Sequence, residues 1–228
     1  MLYDEHSVKD NVRSREGRRV FYLGDGDRLT PSARDWLTRE RIDILPAADA
    51  KPRRYRLLGG GFCKEKPEHM THLSAEVLAP KTHGRIALRG ALDLLEAELI
   101  LCKLKTGVGA LQEALALARD LMRCDVLEQP VGEFTLGGLT AAQLRQQSQF
   151  PQEHFGIAHF MPEAEHGEVI AWLNRCRCAV RQTELAACRA YETVGGKCAR
   201  PDMVEALNRM SSFLYILMLR EKKTIDDY

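Results

Sequence analysis

From residue 84 onward, apolar residues recur at every third or fourth position, the spacing that places them on one face of an α-helix. Breaks in this pattern, mostly at glycine and proline, delimit predicted helices over about 84–105, 110–124, 139–150, 165–193 and 201–222. The last helix carries a near-heptad seam formed by Met203, Leu207, Met210, Leu214 and Leu217. Because such seams suit helices packed about 20° from antiparallel, the pattern predicts a mainly α fold, a four- or five-helix bundle.

Residues 1–65 have a different pattern, which predicts a small, partly irregular N-terminal region. The segment VFYLG is typical of a short strand, and the GDGD that overlaps its end is typical of a turn. Thr30 is placed to cap a helix that begins at Pro31. Residues 51–70 are rich in glycine, proline and lysine and lack periodicity, so they predict a loop or linker. We therefore expect a region of one strand and one helix over 1–65 and a helical-bundle domain over 66–228.

Two of the predicted helices carry a polar stripe directly beside their apolar stripe. The first polar stripe comprises Arg85, Arg89, Asp93 and Glu96, and it borders Leu88, Leu92, Leu95 and Leu99. The second comprises Asn174, Arg177, Arg181 and Glu184, and it borders Leu173, Cys176, Val180 and Ala187. Arginines and carboxylates at helical spacing commonly form surface ion pairs. Arginines held beside a core also suit phosphate oxygens, so the spacing leaves two hypotheses open: ion pairs, or a polyanion site between helices.

Composition and charge narrow the class of protein. The 228-residue chain is 45% hydrophobic and 29% charged, as expected for a globular protein with a sizeable core. Its net charge of +1 lacks the basic excess typical of nucleic-acid-binding proteins, so we expect no nucleic-acid partner. No apolar run reaches membrane-spanning length, and the polar N-terminus does not resemble a secretory signal. We therefore expect a cytoplasmic protein without a membrane partner, with seven cysteines that serve mostly as small hydrophobic residues.

The remaining polar motifs do not form a recognisable catalytic set. The sequence GDGDRLT lacks the lysine of a phosphate-binding loop and is interpreted as a turn. Glu163 and His166 form one Glu-x-x-His motif, whereas a di-iron bundle needs two such motifs and two further glutamates. For His69, His72 and His83, a ligand role and a solvated or helix-capping role both remain open, and we expect no metal centre. Without an acid–base set, the sequence favours chemistry in which a bound reactant is the nucleophile and the protein positions it.

Three segments, taken together, resemble a known family. They are KPEHMTHL at 66–73, KTHGRIALRGALDLLEAELI at 81–100, and the stretch from His159 to Glu192. In order and spacing they resemble the ethanolamine-utilisation type of cobalamin adenosyltransferase. That type is similar in turn to the propanediol-utilisation adenosyltransferases, which are helical bundles with ATP at a subunit interface. The resemblance implies a transferase on a helical bundle that forms a homo-oligomer.

The resemblance also implies a set of ATP-binding residues. Arg177, Arg181 and Glu184 match an Arg-x-x-x-Arg-x-x-Glu pattern of the propanediol type. Asn208 begins a stretch that corresponds to Asn-Arg-x-Ser-Asp, in which Ser212 stands in place of the aspartate. The implied ATP ligands are Arg177, Arg181, Glu184, Asn208, Lys81 and Arg85. No residue is expected to act as a catalytic acid or base.

For the corrinoid, the resemblance implies a bulky apolar wall that displaces the lower axial ligand of cobalt, and Phe155 and Phe160 are the candidates. The implied substrates are cob(I)alamin and ATP with Mg²⁺, and the implied products are triphosphate and adenosylcobalamin for ethanolamine ammonia-lyase. Contacts with that enzyme or with a bacterial microcompartment are implied in the same way. No cysteine cluster follows His69, which favours the metal-independent variant. The alternatives are a non-catalytic corrinoid-binding or microcompartment scaffold bundle and, less favoured, a di-metal oxidoreductase.

Overall fold

The computed structural model describes residues 1–15, 17–50 and 54–227. The chain divides into two compact units, Met1–Arg54 and Tyr55–Tyr228. None of the helices in the described part of the chain is both long enough and apolar enough to cross a bilayer.

The N-terminal unit is a small α/β structure. Its elements are β1 (Leu2–Tyr3), α1 (Glu5–Asn11), β2 (Arg13–Arg15), β3 (Arg18–Leu23), β4 (Arg28–Leu29), α2 (Pro31–Arg39) and β5 (Asp43–Pro46). Strands β2, β3 and β5 form one sheet in that order, with β3 and β5 parallel and α2 between them in the chain. Its core is formed by Val8, Phe21, Ala33, Trp36, Leu37 and Ile42.

Within this unit the predicted helix start is confirmed, because the Thr30 side chain accepts a hydrogen bond from the Ala33 amide at 3.3 Å and Pro31 begins α2. The expectation of a single strand and a single helix is wrong, since the unit holds two helices and several further strands. Most of those strands have only two or three residues, too few to show an alternating pattern in a sequence.

The second unit begins with a four-stranded sheet. Its strands are β6 (Tyr55–Leu57), β7 (Phe62–Cys63), β8 (Met70–Ser74) and β9 (Val77–Pro80), in the spatial order β7-β6-β9-β8. The loop predicted over 51–70 is therefore wrong at Tyr55–Leu57, at Phe62–Cys63 and at Met70, where β8 begins, while residues 51–53 lie outside the described residues. The strands are short, and the glycine-rich turn between β6 and β7 and the lysine- and proline-containing connection from β7 to β8 give this segment the composition of a loop.

The predicted bundle follows the sheet and is confirmed. Its elements are α3 (Gly84–Thr106), α4 (Leu111–Val126), β10 (Thr135–Leu136), β11 (Leu139–Thr140), α5 (Ala141–Gln149), α6 (Pro151–Phe155), α7 (Gly167–Tyr191) and α8 (Pro201–Asp226). Helix α3 ends at Gly107, whose φ of 69° is the left-handed conformation that favours glycine. The predicted segment 139–150 contains a hairpin strand and α5, and the one-turn α6 follows it.

The bundle helices pack in the order α4, α3, α7, α8 and α5. Neighbours α3 and α7 run antiparallel, since Arg175 near the start of α7 bonds Glu98 late in α3, and Tyr191 at the end of α7 lies near the start of α3. Glycine suits this last contact, because a Cβ on Gly84 would lie 3.1 Å from the Cα of Ala190, a close approach that would have to be relieved by a small shift. The predicted apolar stripes of α3, α7 and α8 all lie in the buried core.

Candidate functional site

The arginines of the α3 stripe are engaged by one buried carboxylate. Asp125, near the end of α4, has no exposed surface and accepts hydrogen bonds from Arg85 Nε at 2.7 Å, Arg89 Nε at 2.5 Å and the Tyr191 hydroxyl at 2.6 Å. Arg85 also donates to Glu128 at 2.7 Å, and Arg89 donates to the Leu73 carbonyl at 2.8 Å. This cluster joins α3, α4 and the end of α7, and it leaves few guanidinium donors for a ligand.

The directions of the pKa shifts of Asp125 and Tyr191 agree with this pairing. Burial alone raises the pKa of Asp125, but hydrogen bonds from Tyr191, Arg89 and Arg85 outweigh burial and hold that pKa below its ordinary value. Burial and the bond to Asp125 both raise the pKa of Tyr191, so its hydroxyl stays protonated as a donor. The folded state therefore keeps Asp125 ionised and fully partnered.

The arginines of the α7 stripe have a different environment. Arg177 and Arg181 line a cavity of about 360 Å³ between α7 and α8, which we call the smaller cavity. The Arg177 guanidinium lies 5.6 Å above the centre of the Tyr215 ring and makes a 3.4 Å hydrogen bond to Asn174. No carboxylate of a described residue forms an ion pair with either arginine. Two cationic side chains are therefore free to bind an anion in this cavity.

One side of the smaller cavity is aromatic. Phe160 lines it and packs edge-on against His166, with ring centres 5.1 Å apart. The Tyr215 hydroxyl accepts a hydrogen bond from the Phe160 amide at 3.3 Å and lies 3.2 Å from His159 Nδ1. These contacts fix the loop before α7 onto α8. The cavity thus places arginines and a bulky apolar side chain beside the same space.

Asn208 of α8 separates the smaller cavity from a larger one and lines both. Its amide donates to Glu184 Oε1 at 2.9 Å, and its carbonyl accepts from Arg209 Nη2. The larger cavity has a volume of about 830 Å³, and Glu184 lies on its wall. Glu184 is therefore a partner that orients Asn208 between the two cavities.

Four of the predicted ATP-binding residues thus lie around this pair of cavities, namely Arg177, Arg181, Glu184 and Asn208. Arg85 does not join them, because it lines neither cavity and is held by Asp125 in the cluster that contains Tyr191. Lys81 lies in the turn before α3 and lines neither cavity.

The two candidate phenylalanines also separate. Both are partly buried against the hydrophobic core, but Phe160 also lines the smaller cavity, whereas Phe155 at the end of α6 lines neither cavity. The histidines of the sheet have structural contacts: His83 caps α3 by accepting from the Arg85 amide at 3.3 Å, and His72 packs against Tyr55. Among the described residues, no three His, Cys, Asp or Glu side chains are grouped so that they could hold a metal ion.

Sequence reasoning missed two residues that define the cavities. Tyr215 organises the aromatic side, and it is hidden in the apolar run FLYILML. Arg145 of α5 lines the larger cavity, although its helix contributes no arginine stripe. A signal for Tyr215 exists in the sequence, because it lies seven residues after Asn208 and therefore on the same face of α8.

The fold and these cavities define a helical bundle with an arginine-rich site beside an aromatic wall. The sequence profile of the cobalamin adenosyltransferase family matches residues 62–221. The chain is 29% identical over 238 residues to the corrinoid adenosyltransferase EutT of Salmonella typhimurium strain LT2. It is 31% identical over 239 residues to the corrinoid adenosyltransferase EutT of Escherichia coli strain K12. Each alignment covers 93% of this chain and 89% of the relative.

The chain therefore belongs to the cobalamin adenosyltransferase family. Membership of this family implies a corrinoid substrate and the use of ATP. The same membership favours a transferase over the di-metal oxidoreductase, since the relatives are named as adenosyltransferases.

Proposed function

We propose that this chain is an ATP:cob(I)alamin adenosyltransferase of the ethanolamine-utilisation type, with its active site at the smaller cavity. The observation that carries the proposal is the placement of two arginines without ion-pair partners, Arg177 and Arg181, beside the same cavity as Phe160. In this reaction the electron pair of cobalt(I) attacks C5′ of ATP. The electron pair of cobalt forms the new cobalt–carbon bond, the bond from C5′ to the phosphate oxygen breaks, and triphosphate leaves with the electron pair of that broken bond.

The protein's proposed part in this reaction is positioning and charge stabilisation. Arg177 and Arg181 bind the phosphate chain, whose negative charge increases as it leaves. Asn208, oriented by Glu184, supplies a polar group between the two cavities. Mg²⁺ would arrive bound to the ATP phosphates, since no grouped set of acidic ligands for a resident ion lies within the described residues.

Phe160 is proposed as the apolar wall that faces the corrinoid. It borders the arginine-lined cavity, whereas Phe155 lines neither that cavity nor the larger one. A bulky side chain beneath the corrin ring would exclude the lower ligand and water, which favours reduction of cobalt. Substitution Phe160→Ala is expected to lower turnover with cob(II)alamin under reducing conditions more than with preformed cob(I)alamin. An equal loss in both assays would assign the role to another residue.

The direct test of the function is anaerobic incubation of the protein with ATP and chemically reduced cobalamin, followed by the loss of cob(I)alamin absorbance. Adenosylcobalamin and triphosphate should form in equal amounts, and only when both ATP and protein are present. A non-catalytic corrinoid-binding bundle would bind cobalamin without producing triphosphate. Binding without product would therefore overturn the proposal in favour of that alternative.

We also propose that the enzyme is a homo-oligomer. The outer face of α3, opposite its buried stripe, is apolar, and Leu94, Leu101 and Leu104 are 61%, 39% and 77% exposed. A helix with two apolar faces is normally covered on both. Leu104→Glu should shift the mass measured by light scattering towards the monomer, while Lys105→Glu, a change on the neighbouring residue, should not. A wild-type monomer would contradict the proposal.

The remaining parts of the proposal concern the cellular setting. The product is proposed to serve ethanolamine ammonia-lyase, with the enzyme in the cytoplasm or inside a bacterial microcompartment. These statements are supported by similarity to the ethanolamine-utilisation enzymes. Transfer of the product to purified ethanolamine ammonia-lyase, compared with transfer through free solution, is the appropriate test.

A further inference from the structure

The larger cavity contains a buried guanidinium whose hydrogen-bonding capacity is largely unused. Arg209 of α8 is only 9% exposed and lines this cavity. Its Nη2 group donates to Asn208, but its Nε has no hydrogen-bond partner among the residues that the structure describes. A guanidinium carries five N–H donors, and a buried donor without an acceptor is unfavourable. The free protein therefore holds, in the wall of this cavity, a buried guanidinium whose hydrogen-bonding capacity the described residues do not fill.

A second guanidinium increases this imbalance. Arg145 of α5 lines the same cavity as Arg209. Burial and, after it, the positive charge of Arg145 lower the pKa of Arg209, which shows that like charges repel here. Glu184 and Glu205 act in the opposite direction, but neither forms a salt bridge with Arg209, and Glu184 accepts its hydrogen bond from Asn208. An oxyanion between the two guanidinium groups would turn this repulsion into attraction.

The location of the pair indicates which anion it binds. Asn208 lines both cavities, so the Arg209 guanidinium that donates to it lies next to the site of Arg177 and Arg181. A volume of about 830 Å³ exceeds what a single carboxylate needs. We infer that Arg209 and Arg145 form a second polyphosphate subsite, separated by Asn208 from Arg177 and Arg181. This subsite takes the phosphate chain of bound ATP or the triphosphate that the proposed reaction releases.

The inference rests on the proposed function but has a binding test of its own. Isothermal titration of the full chain with tripolyphosphate, ATP and adenosine is compared for wild type, Arg209→Gln and Arg145→Gln. Loss of a charge-assisted hydrogen bond should weaken tripolyphosphate or ATP binding by tenfold or more, at the scale of about tenfold to hundredfold per such bond. Adenosine binding should not change. Arg220→Gln, which removes the same charge from the exposed part of α8, is the matched control and should bind like wild type.

The two ligands distinguish the two sources of phosphate. A loss confined to ATP assigns the subsite to the bound nucleotide, and a loss confined to tripolyphosphate assigns it to the leaving product. Wild-type affinity for both ligands in Arg145→Gln and in folded Arg209→Gln would overturn the inference. Because Arg145 is exposed on α5, its variant keeps the test decisive if Arg209→Gln does not fold. Failure of the proposed function would appear separately, as a wild-type protein that binds tripolyphosphate but makes no adenosylcobalamin.

Discussion

The two arginine stripes look alike in the sequence and differ in the structure. On α3, Arg85 and Arg89 close around Asp125 and are only 17% and 15% exposed. On α7, Arg177 and Arg181 face a cavity, and no carboxylate of a described residue pairs with them. The difference lies in the neighbouring helix, because α4 presents a buried carboxylate to the first stripe and α8 presents Asn208, serines and Tyr215 to the second. What an arginine pair does is therefore decided by the partner helix.

The largest effect is expected from substitution of Asp125, the carboxylate that pairs with both arginines of the α3 stripe. Asp125→Asn keeps the shape but removes the charge that balances two buried arginines, and it should lower the free energy of unfolding by about 3–5 kcal/mol. Urea denaturation measures this value. The matched control is Asp120→Asn, whose carboxylate on the same helix forms an exposed pair with Arg123 and should change stability by less than about 1 kcal/mol. Equal losses in both variants would mean that the cluster is not specially stabilising.

The next largest effect is expected on catalysis, in the α7 stripe. Here turnover should fall while stability stays nearly unchanged. Arg181→Gln removes a cation from the α7 stripe, so turnover should fall by roughly tenfold to hundredfold. The free energy of unfolding should change by less than about 0.5 kcal/mol. Arg175→Gln is the control, because it lies on the same helix but is paired with Glu98 outside the cavities. Turnover and stability together distinguish a ligand-binding arginine from a structural one. A stable Arg181→Gln enzyme with full activity would remove the distinction between the stripes.

A smaller effect on stability is expected at Tyr191, whose hydroxyl also bonds Asp125. Tyr191→Phe removes the 2.6 Å hydrogen bond to Asp125 but leaves both arginines in place, so stability should fall by about 1.5–2 kcal/mol. The penalty should vanish in the Asp125→Asn background if the hydroxyl acts through that carboxylate. A double-mutant cycle by thermal unfolding gives the coupling energy. Additive losses would show that the Tyr191 hydroxyl stabilises the fold independently of the Asp125 carboxylate.

The smallest effect is expected from mild acid. Since the pKa of Asp125 is lower in the folded protein than its ordinary value of 3.8, the stability it contributes is present above about pH 4 and is lost as the pH falls further. Between pH 7 and pH 4 this group should change the free energy of unfolding by less than about 1 kcal/mol. Unfolding measured across this range in wild type and Asp125→Asn gives the contribution. A large loss above pH 5 would have to come from another group.

The sequence predicted the bundle because its apolar periodicity is long and strong. The apolar stripes of α3 and α7 and the apolar seam of α8 are buried, as the spacing indicated. Pro31 and Pro201 begin their helices, as predicted. The sheet that starts at Tyr55 could not be predicted from periodicity, because its strands have two to five residues. These strands are stabilised by pairing between segments that are distant in sequence rather than by local preference.

The candidate site was predictable only in part. Arg177 and Arg181 could be placed on one helix face by spacing, but their freedom from ion pairs depends on α8, which spacing does not place. Arg85 has the same local pattern, and only the tertiary position of Asp125 reveals its structural contacts. Arg145 approaches Arg209 through packing of α5 on α8, which no local motif records.

The cluster around Asp125 also has a consequence for the order of events during synthesis. Its members are separated by 40 residues between Arg85 and Asp125 and by 66 between Asp125 and Tyr191. A growing chain that has emerged only as far as α4 can form the arginine pairs, but it lacks the helix that seals the carboxylate from water. Contacts over such separations slow folding, because the loop between them must be ordered first. The helix that carries Arg177 and Arg181 is thus also the one whose arrival completes the cluster around Asp125.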